Sequence, residues 1–319
     1  MPRHARLDAE GVLHHIIVRG IERRAIFRDD IDRDRFVERM GRVFIDTSTP
    51  CYAWALLNNH AHLLCKTGGA PLHTVMARLL TGHAVTFNKR HRRHGPLFQN
   101  RYKSILCQED AYLTELVCYI HLNPLRAGII KDLGESYPYS GHSALVGKVS
   151  HPWQDVDYVL RFYGKTAKTA RETYLSSMGS SLRTKRPDLT GGGLRRSYGS
   201  WEEIKKAEGR IKGDERILGD SDFVERILAG EPRRITKVVS LDVLAVRAAD
   251  LYGITLENLI NGGRRLPLVE ARSLFCYWAI RHGGHSMAGV ASFLNMTPPA
   301  VGYAVERGER IAREKSYVF

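Results

Sequence analysis

No stretch of the 319 residues holds the run of apolar positions that a membrane-crossing helix needs. The opening Met1-Pro2-Arg3-His4-Ala5-Arg6 leads into no apolar signal core, so the expectation is a soluble, cytoplasmic protein with no membrane partner. Cysteine is scarce. Cys51, Cys65, Cys107, Cys118 and Cys276 are odd in number, widely spaced and mostly set among apolar neighbours, which argues against a disulfide or zinc framework and for reduced core residues. Acid is missing over one long stretch: from Thr47 to Gln108 there is no Asp or Glu, while Lys66, Arg78, Lys89, Arg90, Arg92, Arg93, Arg101 and Lys103 all fall inside it. His, Phe and Tyr are interleaved with those cations, a pattern that suits a groove for a phosphate backbone with rings to stack on bases. Over the whole chain 48 Lys+Arg against 34 Asp+Glu leave a formal charge of +14, which favours a polyanionic partner because each neutralised phosphate releases condensed counterions. With 43% hydrophobic residues and only 12 prolines, the chain can bury the cores of two or three domains.

Periodicity divides the chain. Val12 to Val18 is apolar and β-branched and predicts a strand, and Asp29 to Phe44 places Ile31, Phe36, Met40, Val43 and Phe44 at helical spacing. Cys51 to Leu57 and His60 to Lys66, joined by Asn58-Asn59, predict a hairpin. A helix over Leu72 to Lys89, a strand over Arg101 to Cys107 and a helix over Asp110 to Asn123 complete the order. The expected fold class is α+β: a ferredoxin-like domain with an antiparallel sheet over residues 1–145, a helical connector over 146–235, and an all-α domain over 236–319. Within the connector, Val156 to Tyr163 and Phe223 to Leu228 predict helices, and Gly179 to Gly199 predicts a basic linker. The last domain holds five helix candidates: Leu241 to Tyr252, Thr255 to Ile260, Pro267 to Arg281, Ser286 to Leu294 and Pro298 to Arg313.

Chemistry concentrates in two places. In a strand, side chains at i and i+2 project from one face, so His60 and His62 can chelate one divalent metal. On the third helix Tyr119 and Asn123 are four residues apart and share a face, offering a nucleophile and an amide oxygen as a third ligand. Pro124 disfavours helical dihedrals at Asn123 and is expected to end or kink the helix there. Tyr112 and Tyr102 compete with Tyr119 for the nucleophile's place. Arg101 and Lys103, with Lys89, Arg90, Arg92 and Arg93, are expected to contact a nucleic-acid backbone. Arg126 is placed either to hold a scissile phosphate or to cap its helix.

Three blocks, Leu56-Leu57-Asn58-Asn59-His60-Ala61-His62-Leu63-Leu64, Gly95-Pro96-Leu97-Phe98-Gln99-Asn100-Arg101-Tyr102-Lys103-Ser104 and Tyr119-Ile120-His121-Leu122-Asn123-Pro124-Leu125-Arg126-Ala127-Gly128, resemble the signature blocks of the single-tyrosine transposases, particularly the REP-associated branch. The likeness covers about Arg3 to Leu145. It implies that His60 and His62 are the His-hydrophobic-His metal pair, here around Ala61, that Asn123 is the third ligand and that Tyr119 is the nucleophile. It further implies Mg2+ or Mn2+, a 5′-phosphotyrosine intermediate, and single-stranded or hairpin DNA as substrate. A phenol's ordinary pKa lies near ~10, so attack at neutral pH needs help that the metal and nearby cations would supply. The alternative is a catalytically silent DNA-binding regulator on the same fold; an RNA-binding sheet is disfavoured because its aromatic motif is missing.

Glu270-Ala271-Arg272-Ser273-Leu274, Gly284-His285-Ser286, Val290 to Leu294 and Thr297 to Arg307 resemble the helix-turn-helix domain of bacterial replication initiators. That likeness implies a recognition helix over Pro298 to Arg310 with Thr297 as N-cap and Arg307 and Arg310 toward its far end, and hence duplex DNA as a further partner. The alternative is a module that only packs against the rest of the protein. Pro298, Pro299, Ala300 and Val301 stand where the initiator pattern has polar base-reading residues.

Overall fold

The computed structural model describes residues 7, 9, 11–135, 137–184, 189, 214, 216–229, 239–261, 263, 265–283, 285 and 287–317. They form two compact units, residues 1–159 with 175–231, and residues 160–174 with 232–319.

The first unit is built on a sheet of five strands in the order β2-β3-β1-β4-β5. β1 (Leu13–Arg19), β2 (Cys51–Leu57), β3 (His60–Lys66) and β4 (Lys103–Cys107) pair antiparallel, in the ferredoxin-like order that the sequence predicts. β5 (Ile217–Leu218) joins the edge parallel to β4. A two-residue strand supplies too little alternation to be seen in sequence, and it adds a parallel edge to the antiparallel sheet expected over residues 1–145.

Strand parity sets what each face buries. Ile16, Val18, Trp54, Leu56, Ala61, Leu63 and Cys65 join Phe36, Met40, Val43 and Phe44 of α1 (Asp30–Asp46) and Leu72, Val75, Met76, Leu79 and Phe87 of α2 (Leu72–Arg90) in one core. Asp29 caps α1, its carboxylate accepting from the Asp32 amide at 3.1 Å. The opposite face is covered by α3 (Glu109–His121), which packs on β2 and β3 and buries Leu113, Leu116, Val117 and Ile120. The helix stops at Leu122 and restarts as α4 (Asn123–Arg126), where Pro124 sits in the first turn and its missing N–H costs nothing. Short helices α5 (His142–Leu145) and α6 (Val156–Leu160) follow, then α7 (Ala167–Arg183). The linker expected over Gly179 to Gly199 therefore begins as helix; residues 185–188 and 190–199 lie outside the described residues.

The helical unit contains Leu241–Leu251, Leu256–Asn261, Leu266–Tyr277, a π-helical turn Trp278–His282, Met287–Phe293 and Pro298–Glu314, close to the five expected helices. Gly284 and Ser286 of the expected motif lie outside the described residues. Leu274, Phe275, Trp278, Val290, Val301 and Val305 centre its core. Gly308 lets the last helix approach Leu266–Tyr277 closely: a Cβ there would stand 1.9 Å from the Ser273 carbonyl oxygen.

Among the described residues all five cysteines are buried and free, and no helix is long and apolar enough to cross a membrane.

Candidate active site

The face of the sheet beneath α3 is polar at its centre. On β3 the odd residues Ala61, Leu63 and Cys65 enter the apolar core, so His60 and His62 turn the other way. Their ring centroids are 5.1 Å apart. β1 contributes His15 by the same parity: its Nε2 lies 3.0 Å from Nδ1 of His62, and the two rings stack at 5.2 Å. α3 brings Tyr119 onto this pair, its ring standing edge-on at 5.8 Å from His15 and 5.8 Å from His62. The nucleophile candidate and the histidine pair, 57 or more residues apart in sequence, thus share one cluster. Tyr119 is buried, as are His15 and His62.

Each proposed ligand is oriented by a second contact. His60 Nδ1 lies 2.7 Å from the Asn59 side-chain oxygen, so the proton sits on Nδ1 and the lone pair on Nε2. In the His15–His62 pair one ring donates to the other. Burial pushes the pKa of His15 down to about 4, against the opposing pull of the Leu189 carbonyl and with the help of Lys103, so that ring is neutral at neutral pH. Asn123 is held by its nitrogen: Nδ2 donates to the carbonyls of Tyr119 at 2.9 Å and Ile120 at 3.4 Å. The Ile120 carbonyl is the one that the Pro124 nitrogen would have bonded in an unbroken helix, so the side-chain amide takes over a bond that proline removes.

By the chemistry of their donors, two imidazoles with Nδ1 engaged and one amide oxygen suit a divalent metal, and the second contacts are of the kind that orient metal-bound histidines. Among the described residues no group of three or more His, Cys, Asp or Glu is placed to hold a metal ion.

The competing tyrosines lie elsewhere. Tyr102 belongs to the apolar core on the other face of the sheet, and Tyr112 lies half-buried nearly two turns before Tyr119 on α3. The cations separate into groups. Lys103 is exposed and pairs with Ile17, which pairs in turn with His62, so all three project from the imidazole face. Arg101 is exposed just before β4, and Lys89 and Arg92 are exposed at the end of α2 and beyond it. Arg90 is spent on structure: its guanidinium meets Asp29 and Asp32 at 2.7 Å each. Arg93 donates to the Asn88 side chain at 3.2 Å, and Arg126 donates to the Ser181 carbonyl at 2.9 Å. Arg307 and Arg310 are exposed on the last helix beside the exposed Tyr303, and Thr297 stands at its N-cap position without a side-chain capping bond.

Two residues escaped the sequence reading. His15 was visible only as part of a strand, and Arg19 only as the residue that follows it. Arg19 pairs directly with His60, which sets an exposed guanidinium beside the first imidazole. Register is the signal that finds both, and register needs the pairing of strands far apart in sequence.

A tyrosine and a histidine pair are thus gathered between α3 and the sheet of a ferredoxin-like domain. Residues 9–123 match the family profile described as "Transposase IS200 like", and the resemblance carried by the motif blocks is shown over this segment. One solved structure, "Structure of the REP associates tyrosine transposase bound to a REP hairpin", is similar at 19% identity, covering 49% of this chain and 93% of that chain with a TM-score of 0.39. No curated protein matches.

Proposed function

We propose that the N-terminal domain, residues 1–145, is a DNA strand endonuclease and strand-transferase of the transposase type, acting on single-stranded or hairpin DNA. The observation that carries this reading is the contact of the Tyr119 ring with His62, 5.8 Å between centroids, on a sheet face edged by cations. In the cleavage step the Tyr119 oxygen forms a bond to the scissile phosphorus while the bond from phosphorus to the 3′ oxygen breaks. The phenol loses its proton, the 3′ oxygen gains one, and the 5′ phosphate stays on the tyrosine with its ester energy conserved for rejoining. His60, His62 and Asn123 would hold Mg2+ or Mn2+, which supplies charge neutralisation at the phosphate when bound. Arg19 and Lys103 draw the backbone onto this face, and Arg101, Lys89 and Arg92 extend the positive field. With His15 Nε2 accepting the hydrogen bond from Nδ1–H of His62, the lone pair of that ring would stand on Nε2, the atom that would ligate the metal.

The helical segment after residue 145 is proposed as a connector to about residue 235, and residues 236–319 as a duplex-binding module with Arg307 and Arg310 on its exposed helix.

Incubation of the whole protein with labelled single-stranded and hairpin oligonucleotides and Mn2+, followed by denaturing electrophoresis, tests the reading. A covalent adduct lost in Tyr119→Phe and kept in Tyr112→Phe is the expected result. DNA retention with no adduct on any substrate would favour the silent regulator instead.

A further inference from the structure

Beside the imidazole cluster, and tied to it by a single residue, is a second constructed feature. The loop after β1 is fastened at many points: Gly20 N–H donates to the Asn59 carbonyl at 2.9 Å, Ile21 N–H to the Leu97 carbonyl at 3.0 Å, and Ile26 N–H to the Asn58 carbonyl at 2.9 Å. His83, buried, bonds the Ile26 carbonyl at 2.8 Å. Asn59 links the loop to the site, its Nδ2 donating to the Arg23 carbonyl at 3.0 Å while its oxygen lies 2.7 Å from His60. Gly20 is required here, since a Cβ would meet the Arg24 carbonyl oxygen at 2.0 Å. Glu22 and Arg23 are held at φ of 51° and 59°, a left-handed conformation that side-chain-bearing residues avoid unless their surroundings enforce it.

This anchored, strained loop walls a cavity of about 280 Å³ lined by Ile21, Arg24, Ala25, Arg28, Arg93 and Leu97. Arg28 also lies over the Phe87 ring at 5.7 Å, and Arg93 is fixed by Asn88 and the Pro96 carbonyl, so two of the three guanidinium groups are held in place before any ligand arrives. Glu22 sits 2.8 Å from Arg24 and partly offsets it. Three cations against one carboxylate, around walls of Ile21, Ala25 and Leu97, make a concave site for something both anionic and flat. The volume lies just below the usual range of ligand cavities, a size for one small group and not for an extended ligand.

We propose that this cavity seats one unpaired nucleotide of the strand whose scissile phosphate lies at Tyr119. Its phosphate is met by Arg28 and Arg93 and its base lies against Ile21 and Leu97. The inference rests on the reading of the site as a single-strand DNA nuclease and adds a specific seat for the flanking strand. It predicts that the protein grips an unstacked nucleotide next to the cut, which an intact duplex cannot offer.

The test uses the full chain and a fluorescein-labelled mixed-sequence single strand, together with the same strand made abasic. Arg28→Gln with Arg93→Gln should weaken binding of both strands about tenfold and make the plot of log affinity against log salt shallower, by about 0.7 for each phosphate that is no longer neutralised. Ala25→Leu fills the cavity without changing charge and should weaken only the strand that carries bases. Arg42→Gln, an exposed arginine on α1 paired with Glu38, is the control for net charge. Arginine variants that behave no differently from Arg42→Gln, or Ala25→Leu binding both strands as wild type does, would overturn the proposal. If the wild-type protein meanwhile forms its Tyr119 adduct, the cavity alone is lost; if it neither binds single strands nor forms the adduct, the nuclease reading itself falls.

Discussion

His14 and His15 are neighbours in sequence and both fully buried, yet they lie on opposite faces of the sheet and have different surroundings. His14 bonds the Ser104 hydroxyl at 2.9 Å on the face that carries α1 and α2, where most of the core is aliphatic and aromatic. His15 meets His62 and Tyr119 on the face under α3. His62 and Leu63 repeat the contrast on the next strand. One pleat assigns alternate residues to stability and to chemistry, so a shift of register by one residue would exchange the two.

The largest test of that division is His62→Ala beside Leu63→Ala. Removing the His62 imidazole should lower Mn2+-dependent adduct formation by at least about 10³-fold, several kcal/mol of barrier, with a much smaller effect on the melting temperature. Leu63, fully buried, should behave in the opposite way: Leu63→Ala costs about 2–5 kcal/mol in a denaturant titration, while the molecules that remain folded cleave at the wild-type rate. If both substitutions damaged stability and cleavage alike, the two faces would not be separable.

His15 and His14 sharpen the contrast further. His15→Phe keeps the packing against Tyr119 but offers His62 no acceptor, and should weaken Mn2+ binding by about 10–100-fold, read from the electron paramagnetic resonance of free Mn2+. His15→Gln, whose side-chain oxygen reaches the place of Nε2, should restore most of that affinity. His14→Phe should leave it unchanged. An equal loss in the His14 and His15 variants would show that burial alone, and not orientation of His62, is what His15 provides.

Most of the ferredoxin-like order was legible because its strands and helices are long enough to show their periods: the bounds of β2 and β3 fall where the alternation predicts them, and α2 ends one residue later. Tyr119, His60 and His62 stood out because each belongs to a motif with local spacing. Three things were illegible for one physical reason, that they depend on contacts between distant segments. β5 is too short to carry a pattern, His15 acquires its role only through strand pairing, and the commitment of Arg90 to Asp29 and Asp32 needs two helices side by side. A cation counted in a sequence is equally a phosphate ligand and half of an ion pair until its neighbours are known. The end of α7 was hidden differently, because its small and polar residues Gly179, Ser180 and Ser181 read as the start of a linker.

The smallest expected effect follows from that ion pair and belongs to the side of the sheet that carries stability. Burial alone would raise the pKa of Asp32, but the Arg28 amide, His91 and Arg90 together hold its carboxyl below the usual carboxylate value. The network stabilises the fold fully above the unfolded pKa of about 3.9 and loses that contribution as pH falls through the still lower folded value. Acid titration of the wild-type protein should therefore show a loss of stability below about pH 4 to which Asp32 contributes, and Asp32→Asn should flatten that part of the curve while lowering stability at neutral pH. Arg90→Gln should lower stability by about 1–2 kcal/mol, because the buried Asp32 loses the guanidinium paired with it, and should leave single-strand affinity almost unchanged. A variant at Arg90 that kept its melting temperature and lost DNA binding would move this arginine from the structural side of the comparison to the functional one.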